Sequence, residues 1–385
     1  AVVIGDFSNW QVTCANQMKR TPDGNRYFIT LTGLTPGTLY KYQYVVDDTL
    51  KIADPYTELI LDPNNDQYIP AATFPSLPAY PTGLTTGIVS TFQIAAPVYN
   101  WSNNSYSRPD KKNLLIYELL VRDFLAAGNW QTLTDTLNYL KNLGVNAIEV
   151  MPFNEFEGNS SWGYNPDFFF APDKAYGTKN NLKRFIDLNQ ATGLSPLAQL
   201  WWNNTNNPPA ANSPFFNVTA THPFSVFNDF NHESEATKYM VSRFIRHWLS
   251  EYKLDGFRWD LSKGFTQHVT TSVAAWNAYD PSRVAIWQRY YDSTQAVSAG
   301  SYCILEHLGN DDEESDLATR GMLLWGKMTD PYNQNTMGYS SSSDISRAFY
   351  KNRPGWTQPH LVTYAESHDE ERIMYKNLTF GNSAN

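Results

Sequence analysis

Three carboxylates in this chain close, or closely follow, a short apolar run. Asp260 ends Asp255-Gly256-Phe257-Arg258-Trp259-Asp260, Glu306 ends Tyr302-Cys303-Ile304-Leu305-Glu306, and Asp369 ends Glu366-Ser367-His368-Asp369. Residues two apart on a strand share a face, so Arg258 and Asp260 point the same way. A guanidinium beside a carboxylate favours the ionised form, which is the form a carboxylate nucleophile needs. A lone Arg-x-Asp at a strand tip is more often a structural ion pair. Three acidic strand ends, one beside a histidine, make a constellation. Two carboxylates flanking a glycosidic bond are the usual requirement for its hydrolysis.

Such groups must be held by strands that end on one side of a sheet. From Asn113 onward, apolar runs alternate with helical patterns. Leu114–Leu119, Asn146–Pro152, Asp255–Asp260, Tyr302–Glu306, Gly321–Trp325 and His360–Tyr364 read as buried strands. Glu233 to Lys253 reads as a helix with Tyr239, Phe244, Trp248 and Leu249 on an apolar stripe. This alternation predicts an α/β fold with a parallel sheet, and the number of units favours a (β/α)8 barrel, whose chemistry sits at the C-terminal strand ends. Residues 1–90 differ: short strands such as Tyr40–Val46 lie between turn signals such as Pro22-Asp23-Gly24, predicting an all-β, immunoglobulin-like sandwich. The Pro-, Asn-, Ser- and Thr-rich stretch from Asp62 to about Arg108 reads as a linker. The predicted organisation is a carbohydrate-binding-like sandwich at 1–90, a linker at 91–112 and a barrel at 113–385.

Composition narrows the partners. With 385 residues, 42% of them hydrophobic, the chain is long enough for a barrel and a smaller domain. The net charge of -9 argues against nucleic acid or an anionic membrane surface, and no apolar run is long enough to span a bilayer. Aromatic residues make up 15% of the chain, and rings stack on the apolar faces of sugars, so the excess leans towards a carbohydrate partner. Cys14 and Cys303 are the two cysteines, which excludes a disulfide framework or a cysteine-rich metal site. The chain starts as if mid-strand and stops without a terminal element, so both ends read as cut.

The motifs together resemble the α-amylase family of retaining glycoside hydrolases. Gly256-Phe257-Arg258-Trp259-Asp260-Leu261-Ser262-Lys263-Gly264 is similar to the segment holding the nucleophile, and Ile304-Leu305-Glu306 to the one with the general acid/base. Ser367-His368-Asp369 resembles the segment with the third carboxylate, and Tyr164-Asn165-Pro166 the substrate-stacking loop. Gly5-Asp6-Phe7-Ser8-Asn9-Trp10 and Ala53-Asp54-Pro55-Tyr56 resemble the sandwich preceding the barrel in branching and debranching members. The resemblance implies double displacement on an α-glucan polysaccharide or oligosaccharide. Asp260 would be the nucleophile, Glu306 the acid and then the base, and Asp369 with His368 would grip sugar hydroxyls. The two catalytic carboxyls are expected ~5–5.5 Å apart. Transfer to a sugar hydroxyl, as in branching enzymes, and a glucan-binding protein without catalysis are the competing readings. An extracytoplasmic bacterial setting is a further expectation from the family and the lack of structural cysteines.

One family segment departs from its pattern. The third strand should carry Asp-x-x-x-Asn-His, but here Asn189 takes the asparagine's place and Gln190 the histidine's. No β-branched run precedes them, and Leu197–Trp202 is the one poor strand candidate nearby. The expectation is therefore an incomplete barrel with a disrupted third strand, or one with Leu197–Trp202 drafted in. The eighth strand and a C-terminal β-domain are also expected to be absent.

Other residues have more ordinary alternatives. Trp162 and Tyr164 are expected to stack on sugar, with Trp201 and Trp202 behind them, and Lys263 to touch a subsite. Trp10 reads more readily as sandwich core than as a glucan contact. No cofactor is expected. Asp229, Asn231, His232 and Glu233 raise the question of Ca²⁺, which relatives often bind nearby, but the cation takes six to eight oxygens. Asn231 before an acidic first turn is better read as a helix cap. His307, next to Glu306, is expected to shape the edge of the site.

Overall fold

The computed structural model describes residues 1–103, 105–192, 195–200 (backbone), 214–224 and 229–382. They form two compact units, one of residues 1–104, 121–135 and 153–188, the other of residues 105–120, 136–152 and 189–385.

The first unit is built on a five-stranded antiparallel sheet. Its longest strand, Leu39–Val46, pairs with Val2–Gly5, Leu50–Ile52 and Val89–Gln93, and Ile60–Leu61 extends the sheet from Val89–Gln93. Val2, Ile4, Trp10, Val45, Leu61 and Val89 form one buried cluster. Each such side chain contributes about 1.5–3 kcal/mol on burial. Trp10 is thus core, with its indole N–H donating to Asp6 at 3.2 Å. The stretch expected to be a linker carries Val89–Gln93, an interior strand of this sheet, so its turn residues flank structure rather than replace it. The same unit holds the antiparallel pair Asn154–Phe156 and Pro166–Pro172. Trp130 packs there against Phe153, Tyr176 and Phe185 at centroid distances of 5.4, 5.9 and 5.5 Å.

The second unit carries seven parallel strands in sequential order: β1 (Ile116–Leu119), β2 (Ala147–Val150), β3 (Ser195–Leu200), β4 (Gly256–Trp259), β5 (Tyr302–Leu305), β6 (Leu323–Lys327) and β7 (Leu361–Tyr364). Among the described residues no pairing joins β1 to β7. One face of the sheet gathers Ala147, Tyr302, Ile304, Leu323 and Trp325, with Ile116, Val362 and Tyr364 against them. These positions alternate along their strands, as an inward-facing barrel layer requires. Gly256 is needed at the start of β4, since a Cβ there would lie 2.4 Å from the Tyr302 carbonyl oxygen.

The third position corrects one expectation. It is not lost: Ser195–Leu200 pairs in parallel with Ala147–Val150 on one side and Gly256–Trp259 on the other. This is the drafted strand, begun two residues earlier than Leu197; Trp201 and Trp202 lie outside the described residues. The backbones of β2 and β4 each present unpaired N–H and C=O groups, and satisfying them outweighs a poor local β-propensity.

Helices connect the strands: α1 (Lys179–Thr192), α2 (Glu235–Arg246), α3 (Pro281–Val297) and α4 (Asp311–Thr319) are the principal ones. α2 is shorter than its apolar stripe predicts and passes into a wider turn at His247–Glu251. Phe244, Trp248 and Leu249 are buried, whereas Tyr239 is exposed.

Candidate active site

The register of β4 and β5 places the central carboxylates side by side. Trp259 is opposite Leu305 in the last paired rung, so Asp260 and Glu306 follow together, and the Glu306 amide donates to the Trp259 carbonyl at 3.0 Å. Asp260 is two residues beyond Arg258, and Glu306 two beyond inward-facing Ile304, which turns both towards the barrel interior. The guanidinium of Arg258, fully buried, lies between them. Its Nη1 pairs with Asp260 and its Nη2 is 3.1 Å from Glu306 Oε2. Trp325 of β6 supports the guanidinium from below at 3.9 Å, and Glu149 of β2 is 4.0 Å from its Nε.

Burial decides the charge state here. It pushes the Asp260 carboxyl up to about 8, against the pull of Arg258 and with the push of Glu306. The sequence expectation that Arg258 keeps Asp260 in the ordinary ionised range is therefore overturned. The desolvation cost of a carboxylate 4% exposed exceeds what one shared guanidinium returns.

Beyond Asp260 the chain turns sharply. Leu261 adopts a left-handed φ of 42°, strained for a branched side chain. The turn aims the Leu261 amide at Glu306 Oε2, 2.8 Å away, and the Ser262 amide at the Glu306 carbonyl, 3.0 Å away.

The third carboxylate is arranged differently. Asp369 follows β7, is exposed, and sits 3.4 Å from His368 Nε2. The other face of His368 is clamped by Glu118 of β1, which takes Nδ1 at 2.8 Å and the His368 amide at 2.9 Å. Burial opposes charge on this imidazole, but the Glu118 hydrogen bond and charge outweigh it and the net shift is upward. The positive field of His368 also reaches Asp260.

Glu118 and Glu149 are not singled out by the sequence motifs. The signal was nonetheless present: an acid inside Ile116-Tyr117-Glu118-Leu119, and another inside Ala147-Ile148-Glu149-Val150, would be costly in a strand unless it met a cation.

Other expected site residues fall elsewhere. Lys263 is 6% exposed, with its ammonium bonded to Asn277 at 2.5 Å and the Leu308 carbonyl at 2.8 Å, above the Trp276 ring. That charge is engaged within the fold rather than facing a subsite. Asn189 is buried in the last turn of α1, beside Gln190, which donates to the Lys253 carbonyl at 2.9 Å. Lys253 precedes β4, so this is the strand end opposite Asp260, and Asn189 cannot meet a sugar there. A helical conformation has removed it from the C-terminal edge. His307 is buried rather than at the site's edge.

Trp162, Tyr164 and Asn165 belong to the first unit, on the connection between Asn154–Phe156 and Pro166–Pro172. Trp162 is exposed, while Asn165 bonds Ser161 and donates to the Glu157 carbonyl at 3.4 Å. Around Asn231, Oδ1 accepts from the Glu233 and Ser234 amides at 3.0 and 3.2 Å. His232 bonds the Tyr290 hydroxyl at 2.9 Å. The cap of α2 is therefore not Asn231, as the sequence suggests, but Ser234, whose hydroxyl accepts from the Ala236 amide at 3.2 Å, while Asn231 holds the turn just before it.

Known proteins share this architecture. The α-amylase catalytic-domain model matches residues 93–208, a span that ends before Asp260. A malto-oligosyltrehalose trehalohydrolase of Saccharolobus solfataricus is 27% identical over 251 residues, 63% of this chain and 39% of the relative. A 1,4-alpha-glucan branching enzyme of Cupriavidus pinatubonensis is 26% identical over 284 residues, 67% of this chain and 35% of the enzyme. The chain thus spans little more than a third of the length of these relatives. The crystal structure of pullulanase type I from Bacillus subtilis, complexed with maltose, superposes with a TM-score of 0.71 at 20% identity, covering 96% of this chain and 57% of that one. The catalytic-domain match and the curated relatives make this chain similar to the α-amylase family, and the solved pullulanase shares its fold.

Proposed function

We propose that this chain cleaves α-glucosidic bonds in starch- or glycogen-type α-glucans by retaining double displacement. The observation that carries the reading is the Asp260–Arg258–Glu306 cluster: two carboxyls on one buried guanidinium at adjacent strand ends. The first step needs an ionised nucleophile and one proton held by the acid. Glu306, the more exposed of the two, delivers it to the leaving glycosidic oxygen. Asp260, left ionised beside Arg258, attacks the anomeric carbon. Water, deprotonated by Glu306, then releases the sugar and restores both groups. Acid, nucleophile and water supply every bond and proton, so the cycle needs no cofactor. Asp369 and His368 bind sugar hydroxyls.

An α-glucan substrate is supported by the names of the relatives and by solved pullulanases that carry maltose or maltotetraose. We read the seven parallel strands as most of an eight-stranded barrel, and the five-stranded sheet as part of a sandwich. The similarity to a branching enzyme supports transfer to a sugar hydroxyl as the second reading. Incubation with amylose separates the outcomes. New reducing ends with the α-anomer released first support retaining hydrolysis, and new α-1,6 linkages support transfer. Release of the β-anomer overturns retention. Binding without turnover, equal in Asp260→Asn, leaves a glucan-binding protein.

A further inference from the structure

The loops after β4 and β5 are stitched together by a buried polar chain that contains neither reacting carboxylate. Ser262 Oγ is 3.0 Å from His307 Nδ1, and His307 Nε2 is 2.6 Å from Glu313 Oε1. Arg283 of α3 grips Glu313 of α4 with two nitrogens, Nε at 2.6 Å and Nη2 at 2.7 Å. Its remaining donors reach the carbonyls of Lys263 and Trp276 at 3.2 Å and Ala278 at 3.0 Å. The Asp280 amide closes the second Glu313 oxygen at 2.6 Å. All four side chains are at most 1% exposed, so none is a nucleophile open to substrate.

Two members of the chain lie next to the reacting pair in sequence. His307 follows Glu306 directly, and Ser262 is two residues beyond Asp260. Ser262 is also held through its own backbone, whose amide bonds the Glu306 carbonyl and whose carbonyl accepts from Trp287 at 3.0 Å. The directions of the bonds agree. An ionised Glu313 on Arg283 accepts from Nε2–H, which leaves Nδ1 bare to accept the Ser262 hydroxyl. Burial, foremost, keeps the imidazole neutral despite Glu313, consistent with that single tautomer.

We propose that the Arg283–Glu313–His307–Ser262 chain is a positioning device that sets the separation and orientation of Asp260 and Glu306. The inference rests on reading those two as the reacting pair. It explains why a strained Leu261 persists: the turn is over-determined by bonds on both sides of it. A buried, fully paired network specifies one arrangement, whereas a severed one frees the loop.

Two variants test it, His307→Leu, which cuts both imidazole bonds, and the milder Ser262→Ala. Hydrogen exchange is read at the Leu261 and Ser262 amides, with the Ile304 amide as the reference, and kcat and KM are measured on maltooligosaccharides. The expected result is exchange at least about tenfold faster at Leu261 and Ser262, with Ile304 unchanged. kcat should fall about ten- to a hundredfold, because small misplacements of reacting groups are costly, while KM stays within about twofold. If His307→Leu does not fold, Ser262→Ala carries the same test. Unchanged exchange at both amides overturns the proposal, as does an unchanged kcat in a variant whose loop has loosened. If the parent chain turns over no α-glucan, the hydrolase reading fails by itself, and the exchange data still decide whether the network holds the loop.

Discussion

The two arms of the candidate site are held in opposite ways. After β4 and β5, Asp260 and Glu306 share a buried arginine, and their loops are bonded to each other, to α3 and to α4. After β7, Asp369 is exposed, and its neighbour His368 is clamped by Glu118 on β1. The difference matches the tasks proposed for them. Bond making and breaking needs groups fixed to fractions of an ångström, whereas a residue that grips sugar hydroxyls can settle when the sugar arrives.

The sharpest way to break this comparison is to remove the reacting groups of the rigid arm. Asp260→Asn or Glu306→Gln should lower kcat on maltooligosaccharides by at least about 10³-fold, as loss of a nucleophile or general acid does. Asp369→Asn should cost less and raise KM more. Equal losses in kcat at all three positions would erase the distinction between the arms.

Arg258→Met asks whether the rigid arm depends on its buried cation. It strands carboxylates that share one guanidinium, and should destabilise the fold by about 3–5 kcal/mol in urea denaturation, more at pH 8 than at pH 5. Glu118→Gln is the matching cut in the looser arm. It should lower kcat/KM by about tenfold through loss of an oriented imidazole, with stability changed less than in Arg258→Met. The His368 shift is upward, so its charged form adds stability below the ordinary histidine pKa, and that contribution is lost as pH rises through the raised value. Glu118→Gln should abolish this window, seen as a fall of the His368 titration midpoint in NMR spectra.

The smallest effect expected is on the pH dependence of melting. Asp260 titrates near 8 in the folded chain, above its ordinary value of 3.8, so the native state binds the extra proton between those limits. Stability from this group is fully present below the ordinary value and is lost as pH rises towards 8. Asp260→Asn should flatten that part of the Tm–pH curve. An unaltered slope would show that the proton resides elsewhere.

Much of this was legible in the chain itself. Apolar runs marked six of the seven parallel strands, and the acids directly beyond β4 and β5 identified the end of the sheet where chemistry sits. The helix α2 was legible from its stripe, although Tyr239 on that stripe faces solvent. The third strand was legible only as a poor candidate, because Ser195–Leu200 lacks the β-branched pattern and is held by two neighbours rather than by its own propensity. Asn189 was misplaced for the same reason: motif order put it at a strand end, and backbone pairing put it in a helix. Lys263 was assigned to a subsite because the sequence did not reveal Asn277 and Leu308 waiting for its ammonium.

The sequence by itself determined which groups are available: an arginine two residues before an aspartate, a glutamate closing the next strand, and a histidine–aspartate pair after a third. Side-chain alternation along a strand is a local rule, so it also determined which way those groups face. Only the tertiary structure decided what each group costs and where its proton resides. Those quantities depend on burial and on partners that are distant in sequence: Glu149 and Trp325 around Arg258, Glu118 under His368, Glu313 behind His307. An Asp260 pushed up to about 8 beside an arginine is the clearest case, because desolvation belongs to the fold and not to the motif.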